Sequence, residues 1–469
     1  MLSSRRDFLR RSSTFAAGFC ALRHCLVSPA LANSTPSIAP YGPLGLDPNG
    51  ILDLPQGFTY RVISTSGSTM SDGLITPGLP DGMATFAGPD ELTMLVRNHE
   101  LLPFEGPGAF GKMNELFGKV DPQKLYDRGK GQFPHRGGTS TIVYDTKNQK
   151  VVRDFMSLAG TSRNCAGGPT PWNSWITCEE TVIRSGPGTD GEYFCDHDHG
   201  YCFEVPATHE MQLHPAIPIV DMGRFNHEAV AVDPPTGVVY LTEDRDDGLL
   251  YRFLPKVPGK FLSGGTLQAL RFRDSKSVDS RNWKVTTVEV GKQYPIEWMD
   301  LEEIDAPLDD LRLRGFEESA ACFARGEGMW YSEGQIFFAC TNGGKKQTGQ
   351  IWRLVPGSSS DTLELFIEPN NSALLESADN LTVAPWGDLV VCEDREGDEV
   401  RIIGVTPQGE LYTLACNHLQ TEFAGVTFSP DGSTLFVNLQ HRGMTVAITG
   451  PWDQRLGTDQ TDLRRSKFH

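Results

Sequence analysis

Long apolar runs, clustered cysteines and surplus positive charge are all missing from this chain of 469 residues. The one modestly apolar stretch, residues 12–27, is broken by Arg23 and His24, too short and too polar to span a bilayer. No later segment is long and apolar enough to cross a membrane, so no stable membrane anchor is expected. Ten cysteines occur without a single Cys-x-x-Cys spacing, and two of them, Cys20 and Cys25, fall near the start. The other eight are too sparse for a disulfide scaffold and give little support to a structural zinc site. Cys195 and Cys202 lie near enough in sequence to pair across a loop in an oxidising compartment.

Positive charge is scarce once the start of the chain is set aside. Residues 1–32 hold five arginines and one aspartate, leaving 37 basic and 59 acidic residues, a net charge of −22. Such a surplus serves solubility, repels nucleic acid and anionic membranes, and offers oxygen ligands to hard cations such as Ca²⁺. No nucleic-acid partner is expected. Charged residues make up only 22%, while glycine (49) and proline (31) are plentiful. That mixture fits neither a disordered chain nor a helical bundle; it suits many short strands joined by tight turns.

The first residues carry an address. Ser4-Arg5-Arg6-Asp7-Phe8-Leu9 reads as a twin-arginine (Tat) export signal, and Ala30-Leu31-Ala32 supplies a cleavage site before Asn33. The Tat export machinery is therefore an expected partner, with a periplasmic or secreted destination. Because that route carries folded proteins, it also fits one that leaves with its metals in place. Residues 1–32 are read as the signal peptide, 33–50 as a Pro-rich extended lead-in, 51–450 as the main domain and 451–469 as a C-terminal tail.

Within the main domain the chain repeats itself. A small or polar opening leads into an apolar strand, a Gly-rich turn and a second strand with a polar or acidic end. The pattern recurs as DGMATFAGPDELTMLVRNHE from Asp81, NCAGGPTPWNSWITCEE from Asn164 and NHEAVAVDPPTGVVYLTEDR from Asn226. It returns as RGEGMWYSEGQIFFACTNGG from Arg325, DNLTVAPWGDLVVCEDR from Asp379 and EFAGVTFSPDGSTLFVNLQ from Glu422. Six such hairpins predict an all-β, six-bladed β-propeller with loop insertions; a β-sandwich with similar hairpins is the competing fold. In a propeller the first strand of each blade lines a central channel, so the openings of all six repeats converge.

That convergence nominates Cys165, Glu228, Glu327, Asp379, Asn380 and Glu422 from the first strands. The second-strand ends add Asn98, Glu100, Glu179, Glu180, Glu243, Asp244, Glu393 and Asp394. So many carboxylates around one axis repel each other unless cations neutralise them. Carboxylates suit Ca²⁺ and Fe³⁺, and a thiolate among them points to a transition metal as well. His99 and His227, each between an Asn and a Glu, are expected to steady such ligands. The run Asp196-His197-Asp198-His199 reads as a polar turn between strands, with metal binding as the alternative.

NCAGGPTPWNSWITCEE resembles the signature of the PhoX-type alkaline phosphatases, and FNHEAVAVD with YLTEDR, and RGEGMWY with residues 335–340, are similar to that family too. The likeness runs from about residue 45 to 445. It implies a Tat-exported propeller that hydrolyses small phosphate monoesters with two oxo-bridged Fe³⁺ ions and several Ca²⁺ ions. Carried over, Cys165 bridges the irons, and Glu180, Glu228 or Glu243, and Glu327 are carboxylate ligands. Asp379, Asn380 and Glu393 complete the expected metal set from the channel reading. Arg325, two residues before Glu327, becomes the phosphate clamp, its planar fork matching two phosphate oxygens. The small residues after Cys165 are expected to let backbone approach a bulky centre. A monomer is expected. A calcium-dependent propeller lactonase or arylesterase, which needs no channel thiol, and a non-catalytic binding platform, which needs no Arg325, remain alternatives. Phosphodiesters remain open as substrates.

Overall fold

The computed structural model describes residues 39–188, 193–357 and 359–454; the export signal and all but the first residues of the C-terminal tail lie outside them. Strands dominate. The longest helix among the described residues spans Leu311–Glu318, and none is long and apolar enough to cross a membrane.

Each of the six repeats folds as the antiparallel hairpin its pattern predicts. Pro80–Ala87 pairs with Thr93–His99, Asn164–Pro169 with Ser174–Glu179, and His227–Val232 with Val239–Glu243. Gly326–Ser332 pairs with Gln335–Cys340, Ala378–Val383 with Leu389–Glu393, and Phe423–Phe428 with Thr434–Leu439. Local chemistry sets the turns: Glu333 and Gly334 both take positive φ, 47° and 81°, the backbone of a two-residue type I′ hairpin.

Further strands build outward. Gly137–Asp145 and Lys150–Thr161 complete a four-stranded first sheet. The third and fourth repeats join at their outer edges through Gln293–Asp300. Near the start of the described chain, Leu52–Pro55 adds to the edge strand Leu411–Asn417 of the fifth repeat. Thr59–Thr65 pairs with Met444–Thr449, so an early strand completes the last sheet and closes the fold. The first strands of the repeats pack neighbour against neighbour in a closed circuit, Phe423–Phe428 meeting Pro80–Ala87 at the join. The result is an all-β, propeller-like arrangement. Its core lies between sheets, where Val390 and Ile402 pack with Leu435, Val437 and Val446; each such side chain contributes about 1.5–3 kcal/mol by leaving water.

One irregularity recurs and positions the site. The register slips between Pro80 and Met83, Asn164 and Gly167, His227 and Val230, Gly326 and Met329, Ala378 and Leu381, and Ala424 and Thr427. A bulge bends its strand and re-aims a side chain. Here it falls directly behind Asp81, Cys165, Glu228, Glu327 and Asp379, the second residues of their strands, all of which reach one central cavity. The glycines after Cys165 serve this packing. A Cβ on Gly168 would lie 2.0 Å from the carbonyl oxygen of Val230 in the neighbouring sheet, and one on Gly167 1.9 Å from that of Ile176.

Candidate active site

The cavity at the centre of the circuit measures about 530 Å³ and is lined by eleven carboxylates, three arginines and the thiol of Cys165. Of the residues nominated from sequence, Cys165, Glu180, Glu228, Glu327, Asp379 and Arg325 all line it. The strand pleat decides which member of each acidic pair arrives. Glu179, Glu243 and Glu393 lie in register with Asn164, His227 and Ala378, and their side chains turn into the sheets. The residues after them, Glu180, Asp244 and Asp394, project into the cavity, as Glu100 does after His99. Alternation along an extended chain is the whole cause.

Glu228 and Glu243 are thereby separated. Glu243 Oε2 accepts hydrogen bonds from the Tyr251 hydroxyl at 2.7 Å and the Leu249 amide at 3.1 Å, away from the cavity. Glu393 is held by Arg401, whose Nε lies 2.9 Å from Oε2, and by the Glu376 amide. Asn380 spans two strands, donating to Asp379 Oδ1 and accepting from the Gly425 amide at 2.8 Å. These three brace the wall and do not line it. The histidines expected to steady ligands also face inward: His99 contacts the Gly78 carbonyl and Ser140 Oγ, and His227 contacts the Gly223 carbonyl and Cys202 Sγ. Cys195 and Cys202 are not joined; the sulfur facing Cys202 is that of Cys178, at 3.7 Å.

Three ligand triads chain across the cavity. Asp81, Glu100 and Cys165 form the first, Cys165, Glu180 and Glu228 the second, and Glu228, Glu327 and Asp379 the third; within each, one donor atom per residue lies within 4.8 Å of the others. Two like charges at that separation repel by roughly 3 kcal/mol at an effective dielectric constant near 20. Burial pushes the Glu228 carboxyl well above its usual range, with Glu327, Glu180 and Asp379 adding to the effect. Burial and then Asp394 raise Asp379 to about 7. The Cys165 thiol is raised by burial and by Asp81, Glu228, Glu100 and Glu180. Both oxygens of Glu228 are buried and lack any hydrogen-bond partner among the described residues. Such a carboxylate must hold a proton or a cation. The donor set, many carboxylate oxygens and one sulfur, fits a row of cations.

Arg325 sits at the rim with a third of its side chain exposed. Its Nε and Nη2 grip Asp244 at 2.7 and 3.0 Å, and Nη2 lies 2.9 Å from Glu327 Oε1. Burial works against its charge, but Glu327, Asp244 and Asp394 outweigh that and raise its pKa.

Sequence reasoning missed Arg163, which lines the cavity with Nε 2.9 Å from Glu100 and Nη2 3.1 Å from Glu180. It also missed Asp81 as a donor, and Gln440, which donates to Asp81 at 2.6 Å and to Glu100 at 2.7 Å. Aligning the repeats would have found Asp81 and Arg163, which hold the places of Cys165 and Arg325.

A family model described as alkaline phosphatase PhoX matches residues 39–152 and 138–443. The solved structure of Pseudomonas fluorescens PhoX in complex with vanadate, a transition-state analogue, is 19% identical, covering 89% of this chain and 97% of its own at a TM-score of 0.63. A gluconolactonase from Xanthomonas campestris is 12% identical over 91% of this chain and 100% of its own, at a TM-score of 0.39. No curated protein matches the chain. With a family model spanning most of its length and a carboxylate-rich cavity where the repeats converge, the chain belongs to the alkaline phosphatase PhoX family and is a phosphoric-ester hydrolase.

Proposed function

We propose that the protein hydrolyses small phosphate monoesters in the central cavity at a multinuclear centre of two Fe³⁺ ions and Ca²⁺ ions. Cys165, Glu180, Glu228, Glu327 and Asp379 would hold the ions, with Asp81 and Glu100 extending the row. The sharing of Cys165 and Glu228 between successive triads carries this reading, because a shared donor is what adjacent cations need. Bound cations supply Lewis acidity to the phosphoryl oxygens and activate water.

The chain's own residues do the rest. Arg325 offers a planar fork at the cavity rim, and its bidentate grip on Asp244 shows the geometry it would present to two phosphate oxygens. A dianionic ester entering the cavity would compete for that fork, and Asp244 keeps it aimed beforehand. Arg163 neutralises Glu100 and Glu180, two places earlier in the circuit. Asn380, Glu393 and Glu243 stiffen the wall, so the donors stay in place while the ester turns over.

The wider reading is a monomeric, six-bladed propeller exported by the Tat route to the periplasm or beyond. It is supported by the closed circuit of six first strands and the twin arginines Arg5 and Arg6. Elemental analysis beside a phosphatase assay tests the function. Protein purified from its host should carry about two iron atoms per chain with calcium, hydrolyse an aryl phosphate at alkaline pH, and lose that activity to chelator. Calcium without iron would favour the calcium-dependent lactonase reading, and phosphatase activity indifferent to chelator would overturn the metal centre.

A further inference from the structure

A second cluster of ligand-bearing side chains lies behind the cavity wall, outside everything assigned so far. Asp127, His135, Cys195 and His199 are all buried, and one donor atom of each lies within 4.8 Å of the others. They come from two insertions of neighbouring sheets. Asp127 and His135 sit between Thr93–His99 and Gly137–Asp145, while Cys195 and His199 sit between Ser174–Glu179 and Cys202–Pro206. No spacing in the sequence announces the group, because its halves are sixty residues apart and carry no paired-cysteine motif.

The orientation of the donors is what a bound ion requires. His199 Nδ1 is 2.6 Å from Glu179 Oε1 and His135 Nδ1 is 2.6 Å from Ser162 Oγ. With both Nδ1 atoms engaged, both Nε2 atoms turn toward one carboxylate: His199 Nε2 lies 3.3 Å from Asp127 Oδ2 and His135 Nε2 3.6 Å from Oδ1. His135 Nε2 is also 3.3 Å from the Phe194 carbonyl oxygen. Two donors bonded at about 2.0–2.2 Å to one tetrahedral ion stand about 3.3–3.6 Å apart, the spacing found here. Asp127 is fixed by the amides of Gly129, Asp196 and His197, and Cys195 Sγ makes no hydrogen bond among the described residues. A carboxylate holding the far nitrogen of a histidine is the usual outer support of a metal ligand, and Glu179 fills that place for His199.

We propose that Asp127, His135, Cys195 and His199 bind one divalent transition-metal ion, zinc by the character of the donors, in a closed tetrahedral site. Two imidazoles, one thiolate and one carboxylate with no open position make a structural site, not a catalytic one. Binding releases to solvent the Cys195 proton and the Nε2 proton that His199 holds against Asp127, and leaves both imidazoles neutral with Nε2 bare for the ion. The ion would staple the insertion holding residues 127–135 to the one holding residues 195–199. It also locks Glu179, which adjoins Glu180 in the chain and pairs with Asn164 beside Cys165. The ion would thus adjoin one flank of the cavity without sharing a ligand with it.

The test is metal analysis of the full-length protein purified from its host. Native protein should contain about one zinc per chain in addition to any iron and calcium. His135→Ala and Cys195→Ala should each lose that equivalent while iron stays unchanged, which separates this site from the cavity whatever the cavity holds. Should those variants fail to fold, zinc-edge X-ray absorption on native protein serves instead and should show one sulfur and three nitrogen or oxygen donors. Native protein devoid of a transition metal beyond the cavity's own, zinc surviving intact in the variants, or a spectrum without sulfur would each overturn the proposal.

Discussion

Arg163 and Arg325 occupy the same place in their repeats. The Arg163 amide donates to the Leu101 carbonyl, one residue past Glu100, and the Arg325 amide donates to the Arg245 carbonyl, one residue past Asp244. Their own carbonyls accept from Glu180 and Thr341, the residues that follow the second strands of their sheets. Both take positive φ, 49° and 50°, a conformation uncommon for a side chain of this size. Each pairs with the carboxylate ending the preceding hairpin, Glu100 and Asp244 respectively. The cavity thus carries two cationic forks in equivalent positions, and only the paired acids tell them apart: Arg163 pairs with Glu100 and Glu180, Arg325 with Asp244 and Glu327.

Replacing Arg325 should therefore impair turnover without emptying the metal sites. Arg325→Ala is expected to lower kcat by about 10²-fold or more, with bound iron and calcium unchanged. Arg325→Lys should recover little, since a point charge cannot reproduce the bidentate fork. Steady-state kinetics beside metal analysis decides it; wild-type turnover in Arg325→Ala removes the residue from the site.

Cys165→Ala should abolish both activity and bound iron. The thiol belongs to two of the three triads, so its loss breaks the row in the middle. Iron retained at wild-type level in that variant would reduce Cys165 to packing.

Glu228 and Glu243 make a paired test. Glu228→Gln should cut activity by at least about 10²-fold with little loss of stability, because no hydrogen bond depends on that carboxylate. Glu243→Ala should leave the metals in place yet destabilise the fold by about 1–3 kcal/mol, since the buried Tyr251 hydroxyl and Leu249 amide lose their acceptor. Melting curves and initial rates read the two effects separately; the reverse pattern would exchange their roles.

Stripping the metals should give the protein a new pH dependence. In the metal-free fold, burial with Asp394 holds the Asp379 carboxyl up at about 7 and the Glu422 carboxyl up at about 12, against ordinary values of 3.8 and 4.5. Above those ordinary values the unfolded chain has released protons that the folded chain keeps, so rising pH favours unfolding. The loss due to Asp379 grows from about pH 4 and is complete above about pH 7, while that due to Glu422 keeps growing toward about pH 12. Thermal melts of chelated protein should fall steadily across about pH 5 to 8, and metal-loaded protein should show a flatter profile. Equal slopes would mean that the carboxylates share their charge in some other way.

Gly168→Ala probes the packing beneath the site. Its new Cβ would stand 2.0 Å from the Val230 carbonyl, so adjacent first strands must part. A loss of about 1–3 kcal/mol is expected by chemical denaturation; an unchanged midpoint would show that the strands yield freely.

Much of this protein was legible in the sequence. The repeated hairpins, their Gly-rich turns and the family motif around Cys165 placed the acidic openings on one axis, and five of the eight nominated metal ligands arrived in the cavity with Arg325. Those features are local: they depend on strand period and turn chemistry, which successive residues dictate. What the tertiary structure alone decided is which of two adjacent acids faces the centre. Glu180 over Glu179 and Asp244 over Glu243 depend on where each hairpin's pairing ends, a matter of one residue that reverses every side chain. The choice of Glu228 over Glu243 followed from the same register. Asp127 and His135 meet Cys195 and His199 only because two insertions of neighbouring sheets are folded against each other, and nothing along the chain records that meeting.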